Sequence, residues 1–279
     1  MKSLKLTKRS RLRLLIYGKP GQGKTTLAGT ATLDDRTAPV LWLDCGGNPI
    51  VLSRLKNPRV SLLQIDQPSD MAVVYKWIKG GQQPNAMLAV EHELTPPYKT
   101  IVFDGITGIQ WQNFNIAQGI TDLAPGEYVP PPEWGHYRSV LAQMVMIAAK
   151  FYTLPMHIIF TALEHPEQRF IVPGESKTQY IYREPALAGQ SVDQFPGWAL
   201  NVGRLALVST YDPKTQKEAG AADKDYNILQ FKPTLYVDAK DQHGFGPYHV
   251  NPTIRKLLDI MDAQEAPAIN NAGNGGTPA

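Results

Sequence analysis

The sequence has one cysteine, Cys45, in 279 residues. That excludes an internal disulfide framework and accords with a reducing cytoplasm. It has no apolar run near the roughly 18 residues a membrane span needs, so no membrane partner is expected. Its net charge of +3 is too small to mark a nucleic-acid-binding chain by itself. It has no internal repeat. The N-terminus holds Lys2, Lys5, Lys8, Arg9, Arg11 and Arg13, as a signal peptide would. The apolar run that follows, residues 14–17, is too short for one and leads into a glycine-rich turn. Residues 1–10 are therefore read as a basic flexible arm ahead of a buried strand.

Apolar residues make up 43% of the chain, enough for a sizeable core in one α/β domain. Strands are expected at residues 11–17, 40–44, 60–65, 100–104 and 156–161, each short and continuously apolar as strands buried on both faces are. Helices are expected from Lys24, at 48–56, at 69–79 capped by Ser69, at 106–116 despite Gly108, at 133–152, and at 251–261. The 133–152 helix is the best marked: Trp134, Tyr137, Leu141, Met144, Ala148 and Phe151 recur at spacings of three and four. This alternation implies βαβ units and a mostly parallel central sheet flanked by helices. Residues 166–191 hold turn formers and no period. Residues 203–210 and 226–239 read as an antiparallel hairpin extension, and 263–279 as a disordered tail.

The chemistry centres on Gly18-Lys19-Pro20-Gly21-Gln22-Gly23-Lys24-Thr25, followed by Thr26. This is G-x-x-x-x-G-K-[ST], a phosphate-binding loop. Backbone N–H groups converge on phosphate oxygens only where no Cβ intervenes. Lys24 would bridge the β- and γ-phosphates of ATP, and the Thr25 hydroxyl would hold Mg²⁺. A strand precedes the loop and a helix follows, so the helix points its positive end at the anion. The second Mg²⁺ residue is expected at Asp104, which ends the apolar strand TIVFD. Asp44 ends another strand in the same way; it either orients a water or caps a turn.

With these residues in place the chain resembles RecA-like P-loop ATPases, in particular the bacteriophage nucleotide-binding proteins of the single-strand annealing and recombination type. The resemblance runs from Leu12 to Met261 through GKPGQGKTTLA, VLWLD, YKTIVFDGITGI, EWGHY, IIFTALEH and AKDQHGFGPYHVNP. It implies a RecA-like ATPase domain over residues 11–262. It also implies action on single-stranded DNA in recombination, annealing or repair, a homo-oligomer when nucleotide is bound, and a host cytoplasm.

The resemblance implies as well that Thr161 senses the γ-phosphate and that Lys240 reaches the site of a neighbouring subunit; the alternative for Lys240 is a solvated hairpin lysine. The family's catalytic glutamate lies beyond the second strand, where this chain reads Asp44-Cys45-Gly46-Gly47. Asp44 or Glu164 would then act in its place, or turnover is slow. A nucleotide-switched scaffold with little turnover and no direct DNA binding is the alternative function. A motor would need an arginine finger and a kinase an arginine-rich lid; neither stands out, although Arg169 and Arg183 leave the kinase reading open.

The resemblance places nucleic acid against loops 119–132 and 165–182. The second, with Arg183 just beyond it, carries Arg169, Phe170, Lys177, Tyr180 and Tyr182, the aromatics and cations that single-strand binding uses. Residues 164–184 nevertheless hold four acids against three Lys/Arg, so a loop covering the sheet is an equal reading. The arm, with six cations through Arg13 and no acid, is the better electrostatic candidate.

Overall fold

A computed structural model describes residues 11–46, 49–56, 58–80, 97–120, 126–165, 168–171, 179–208 and 226–265. In chain order the strands and α-helices are β1 Arg13–Gly18, α1 Lys24–Gly29, β2 Val40–Asp44, β3 Val60–Gln64, α2 Pro68–Ile78, β4 Thr100–Asp104 and α3 Ile106–Ala117. Then come α4 Trp134–Phe151, β5 His157–Leu163, β6 Gln168–Ile171, β7 Gln179–Tyr182, α5 Ser191–Trp198, β8 Asn201–Val208, β9 Tyr226–Gln230, β10 Lys240–Asp241, β11 Tyr248–Val250 and α6 Ile254–Glu265.

One sheet runs β11-β9-β8-β1-β5-β4-β2-β3, with β10 beside β8, and β6–β7 form a separate hairpin. From β3 through β1 to β8 every pairing is parallel, whereas β9, β10 and β11 join antiparallel. The expected mostly parallel sheet with an antiparallel C-terminal extension is therefore present. The apolar alternation of β1 splits the core into two layers. Leu15 and Tyr17 face the side covered by Met71 and Val74 of α2, Phe114 of α3, Met144 and Phe151 of α4, and Phe195 of α5. Leu14 and Ile16 face the side covered by Leu27 of α1 and by Ile254, Leu257, Leu258 and Met261 of α6.

Several local expectations change. The 48–56 segment is a 3-10 helix, Pro49–Arg54, rather than an α-helix. The cap of α2 is Gln67, not Ser69: Asp70 reaches back to the Gln67 N–H at 3.1 Å, with Pro68 in the first turn. Gly108 does not weaken α3. A Cβ there would sit 2.4 Å from the Cys45 carbonyl oxygen, so glycine lets the helix lie against the end of β2.

Residues 166–191 contain β6 and β7, and α5 follows, an unforeseen helix with Pro196 inside it. β8, over the described part of the expected 203–210 strand, pairs antiparallel with β9 as expected, but also parallel with β1, inside the sheet, and β9 ends at Gln230, short of the expected 239. α6 continues to Glu265, past the expected start of the tail at 263. Residues 1–10 and 266–279, and with them the arm and the rest of the tail, lie outside the described residues. No helix among the described residues is long and apolar enough to cross a membrane.

Candidate nucleotide site

The loop leaves the buried end of β1 and turns into α1 at Gly23. Gly21 and Gly23 take φ of +78° and +84°, a region open to glycine. Gln22 Oε1 accepts the Lys19 N–H at 3.0 Å, and the Gly23 carbonyl accepts the Leu27 N–H at 2.8 Å. Pro20 on the loop and Thr26 in the first turn of α1 are exposed. The Lys24 ammonium folds back over the loop and donates to the carbonyls of Gly18 (2.8 Å) and Lys19 (2.9 Å). Burial lowers its pKa, against the attraction of Asp104 and Glu164.

β4 and β1 are separated by β5, so Asp104 and Thr161 reach the loop from adjacent strands. Asp104 Oδ1 accepts from the Thr161 hydroxyl at 2.6 Å and the Thr25 hydroxyl at 3.2 Å. Thr161 in turn accepts the Gly105 N–H at 2.9 Å, which fixes its rotor. Asp104 Oδ2 is buried with no hydrogen-bond partner. Burial raises the Asp104 pKa, opposed by the two hydroxyl bonds and by Lys24. A buried carboxylate oxygen left unpaired beside a threonine hydroxyl has the donor chemistry a hard cation takes. The residues fit Mg²⁺. Asp44 stands beside Asp104 on β2, its register partner, and is half-buried.

Glu164 is a correction. Its side chain is fully buried, and its carboxylate accepts Arg183 Nη1 at 3.0 Å, Arg204 Nε at 2.8 Å and Arg204 Nη2 at 3.3 Å. Both Glu164 oxygens are thus taken up by guanidinium donors. Lys240 does not enter its own chain's site. It lies opposite Val202 on β8, and its ammonium donates to the carbonyls of Gly197 (3.0 Å) and Ala199 (2.7 Å) at the end of α5.

In the segment expected to face DNA, Tyr182 donates to Asp238 Oδ1 at 2.7 Å and Arg183 to Glu164, so both side chains have partners within the chain. Arg169, Phe170 and Tyr180 belong to the β6–β7 hairpin, with Phe170 opposite Tyr180, while Lys177 lies outside the described residues. Cys45 is buried as a small core residue, and burial raises its pKa.

Arg204 is the residue the sequence reading missed. The signal was there: one arginine inside the apolar strand NVGRLALV needs a buried partner.

A strand, a glycine loop closed by Lys24 and Thr25, and Asp104 two strands away define the fold of a P-loop ATPase, with the mostly parallel RecA-like sheet described above. Within that class the chain belongs to the AAA_24 family, described as an AAA domain, whose model matches residues 10–243. P-loop ATPases of this kind generally bind ATP with Mg²⁺. No curated protein matches the sequence. Among solved structures the chain is similar to a KaiC-like protein from the hyperthermophilic archaeon Pyrococcus horikoshii OT3. The identity is 12% and the TM-score 0.40, over 77% of this chain and 76% of that one.

Proposed function

We propose that this chain binds ATP with Mg²⁺ through residues 18–26, hydrolyses it slowly, and acts on single-stranded DNA in recombination, annealing or repair. The observation that carries the nucleotide reading is the Thr25–Asp104 contact, with the second Asp104 oxygen buried and unpaired. Lys24 then exchanges its two carbonyl partners for β- and γ-phosphate oxygens. Thr25 and Asp104 would hold Mg²⁺, which would supply charge neutralisation on the phosphates. Thr161 orients Asp104; the resemblance would make it the sensor of the γ-phosphate, and Asp44 is the candidate to orient a water. Slow turnover is supported by the absence of a glutamate in Asp44-Cys45-Gly46-Gly47 and by the two arginines on Glu164.

The DNA part rests on the resemblance to phage annealing proteins and on the cations of residues 1–13. It carries with it a phage origin, a host cytoplasm, and an ATPase body over 11–262 between a basic arm and a tail. A nucleotide-bound homo-oligomer would place Lys240 at a neighbour's phosphates. The second reading is a nucleotide-switched scaffold, favoured by the same missing glutamate.

The test is steady-state ATP hydrolysis by the full chain, with and without single-stranded DNA. The expected basal rate is below about 1 per second, against a median of about 10 per second for enzymes. DNA raises it, salt weakens DNA binding steeply, and Lys24→Ala abolishes turnover in a folded protein. Undiminished turnover in folded Lys24→Ala overturns the site. If DNA neither binds at low salt nor alters the rate, the scaffold reading replaces the recombination one.

A further inference from the structure

Two strands flank the phosphate-loop strand, and a charged pair joins them over its end. β1 lies between β5 and β8. Gly18 is the register partner of Leu163, and Tyr17 that of Arg204. The Glu164 N–H donates to the Gly18 carbonyl at 3.0 Å, the same carbonyl that takes the Lys24 ammonium. The Glu164 carboxylate meets Arg204 through two of its donors. Gly18 itself lies against β8: a Cβ there would come 2.3 Å from the Leu205 carbonyl oxygen. The first glycine of the loop, Lys24, Glu164 and Arg204 therefore form one contiguous cluster.

Within it, Arg183 and Arg204 both pair with Glu164, while Lys24 is attracted by Asp104 as well as by Glu164, and Asp238 lies beside the Arg183 main chain. Burying such a set contributes little net stability, because desolvation offsets much of the attraction. Two guanidiniums on one carboxylate next to a phosphate loop have a better physical use. A guanidinium presents the same planar fork to a carboxylate and to a phosphate, so one anion replaces the other without leaving the arginine unpaired. The second arginine completes the arrangement. When Arg204 leaves, Arg183 still pairs with Glu164, so the carboxylate is not stranded. The Arg183 main chain is anchored, since its carbonyl lies 3.1 Å from the Tyr17 hydroxyl and its N–H donates to the Tyr236 carbonyl at 2.7 Å.

We propose that Arg204 is a ligand for the terminal phosphate of a nucleoside triphosphate, and that Glu164 is the positioning residue that holds it ready. The arrival of a γ-phosphate takes Arg204 from Glu164. A diphosphate does not reach it, so this exchange sets the preference for triphosphate over diphosphate. The inference rests on the nucleotide reading above.

The test is equilibrium binding of Mg²⁺–ADP and of a non-hydrolysable Mg²⁺–ATP analogue to the full chain. In Arg204→Gln the analogue should bind about tenfold more weakly, while ADP stays within about twofold of the native chain. In Glu164→Gln, removal of the competing anion should tighten the analogue a few-fold and leave ADP unchanged. A merely structural Arg204 would weaken both ligands equally, and that result overturns the proposal. If Arg204→Gln does not fold, Arg204→Lys keeps the charge and loses the fork. It should lose part of the triphosphate preference, and an unchanged ratio of the two affinities overturns the proposal. Wild-type protein that binds neither ligand overturns the nucleotide reading itself.

Discussion

Asp104 is held through one oxygen by two threonine hydroxyls, while the other oxygen is buried and unpaired. An unpaired buried carboxylate oxygen costs free energy unless a ligand completes it. This gives Asp104→Asn a specific signature. The amide keeps the shape but loses the charge that a Mg²⁺ shell requires. Nucleotide binding should weaken by about tenfold or more in the presence of Mg²⁺ and change little in EDTA, as titration calorimetry under both conditions would read. Equal losses in the two conditions would make Asp104 a structural residue. At the same scale Thr25 and Asp104 were legible in sequence because each closes a motif of fixed type. For Arg204 only the need of a buried partner was legible, since nothing in NVGRLALV says which strand lies beside it.

Among the elements, α6 shows which forces hold a peripheral helix. It buries Ile254, Leu257, Leu258 and Met261 against the layer that contains α1. It also carries a charged latch: Asp34 takes Arg36 at 2.8 Å and Arg255 at 3.1 Å, and Arg36 reaches Asp259 and Asp262. The magnitudes separate the two contributions. Leu257 is fully buried, so Leu257→Ala should cost about 2–5 kcal/mol. The Arg255 side chain is 64% exposed, so Arg255→Ala should cost no more than about 1 kcal/mol. Urea denaturation of both variants checks the order, and a larger loss for Arg255→Ala would put electrostatics ahead of packing in attaching this helix. α6 was expected from the sequence at 251–261 and runs from Ile254 to Glu265. α5 was not visible, because an eight-residue helix with Pro196 and Gly197 in it reads locally as a turn.

For the molecule as a whole, a buried histidine far from the nucleotide loop is one source of acid sensitivity. His157 begins β5, is 6% exposed, and accepts the Leu12 N–H at Nδ1 over 3.0 Å. Burial first, then Arg11, Arg13 and Arg36, lower its pKa from 6.5 to about 4. The folded state therefore keeps the ring neutral where the unfolded chain already protonates it. The unfolded state binds more protons across that window, so stability is full above pH 6.5 and is lost as pH falls toward about 4. A shift of this size corresponds to about 3 kcal/mol over the window. His157→Asn retains an acceptor for Leu12 and cannot titrate. Its unfolding free energy should be flatter between pH 6.5 and 4 than that of the native chain. An unchanged pH slope would show that other groups carry the acid sensitivity.

The sequence by itself determined the phosphate loop, the strand ending in Asp104, and the parallel alternation of strands and helices. These follow from short-range rules: glycine spacing, apolar runs and the period of helices. The tertiary structure decided what those rules do not encode. It inserted β5 between β1 and β4, which brings Thr161 onto Asp104 from a strand 57 residues away. It laid β8 parallel beside β1, which turned Glu164 from a candidate base into a partner of Arg204. It also set Lys240 against the end of α5 rather than in its own chain's site. Strand order is fixed by which apolar faces bury together, a long-range outcome that no local window of residues contains.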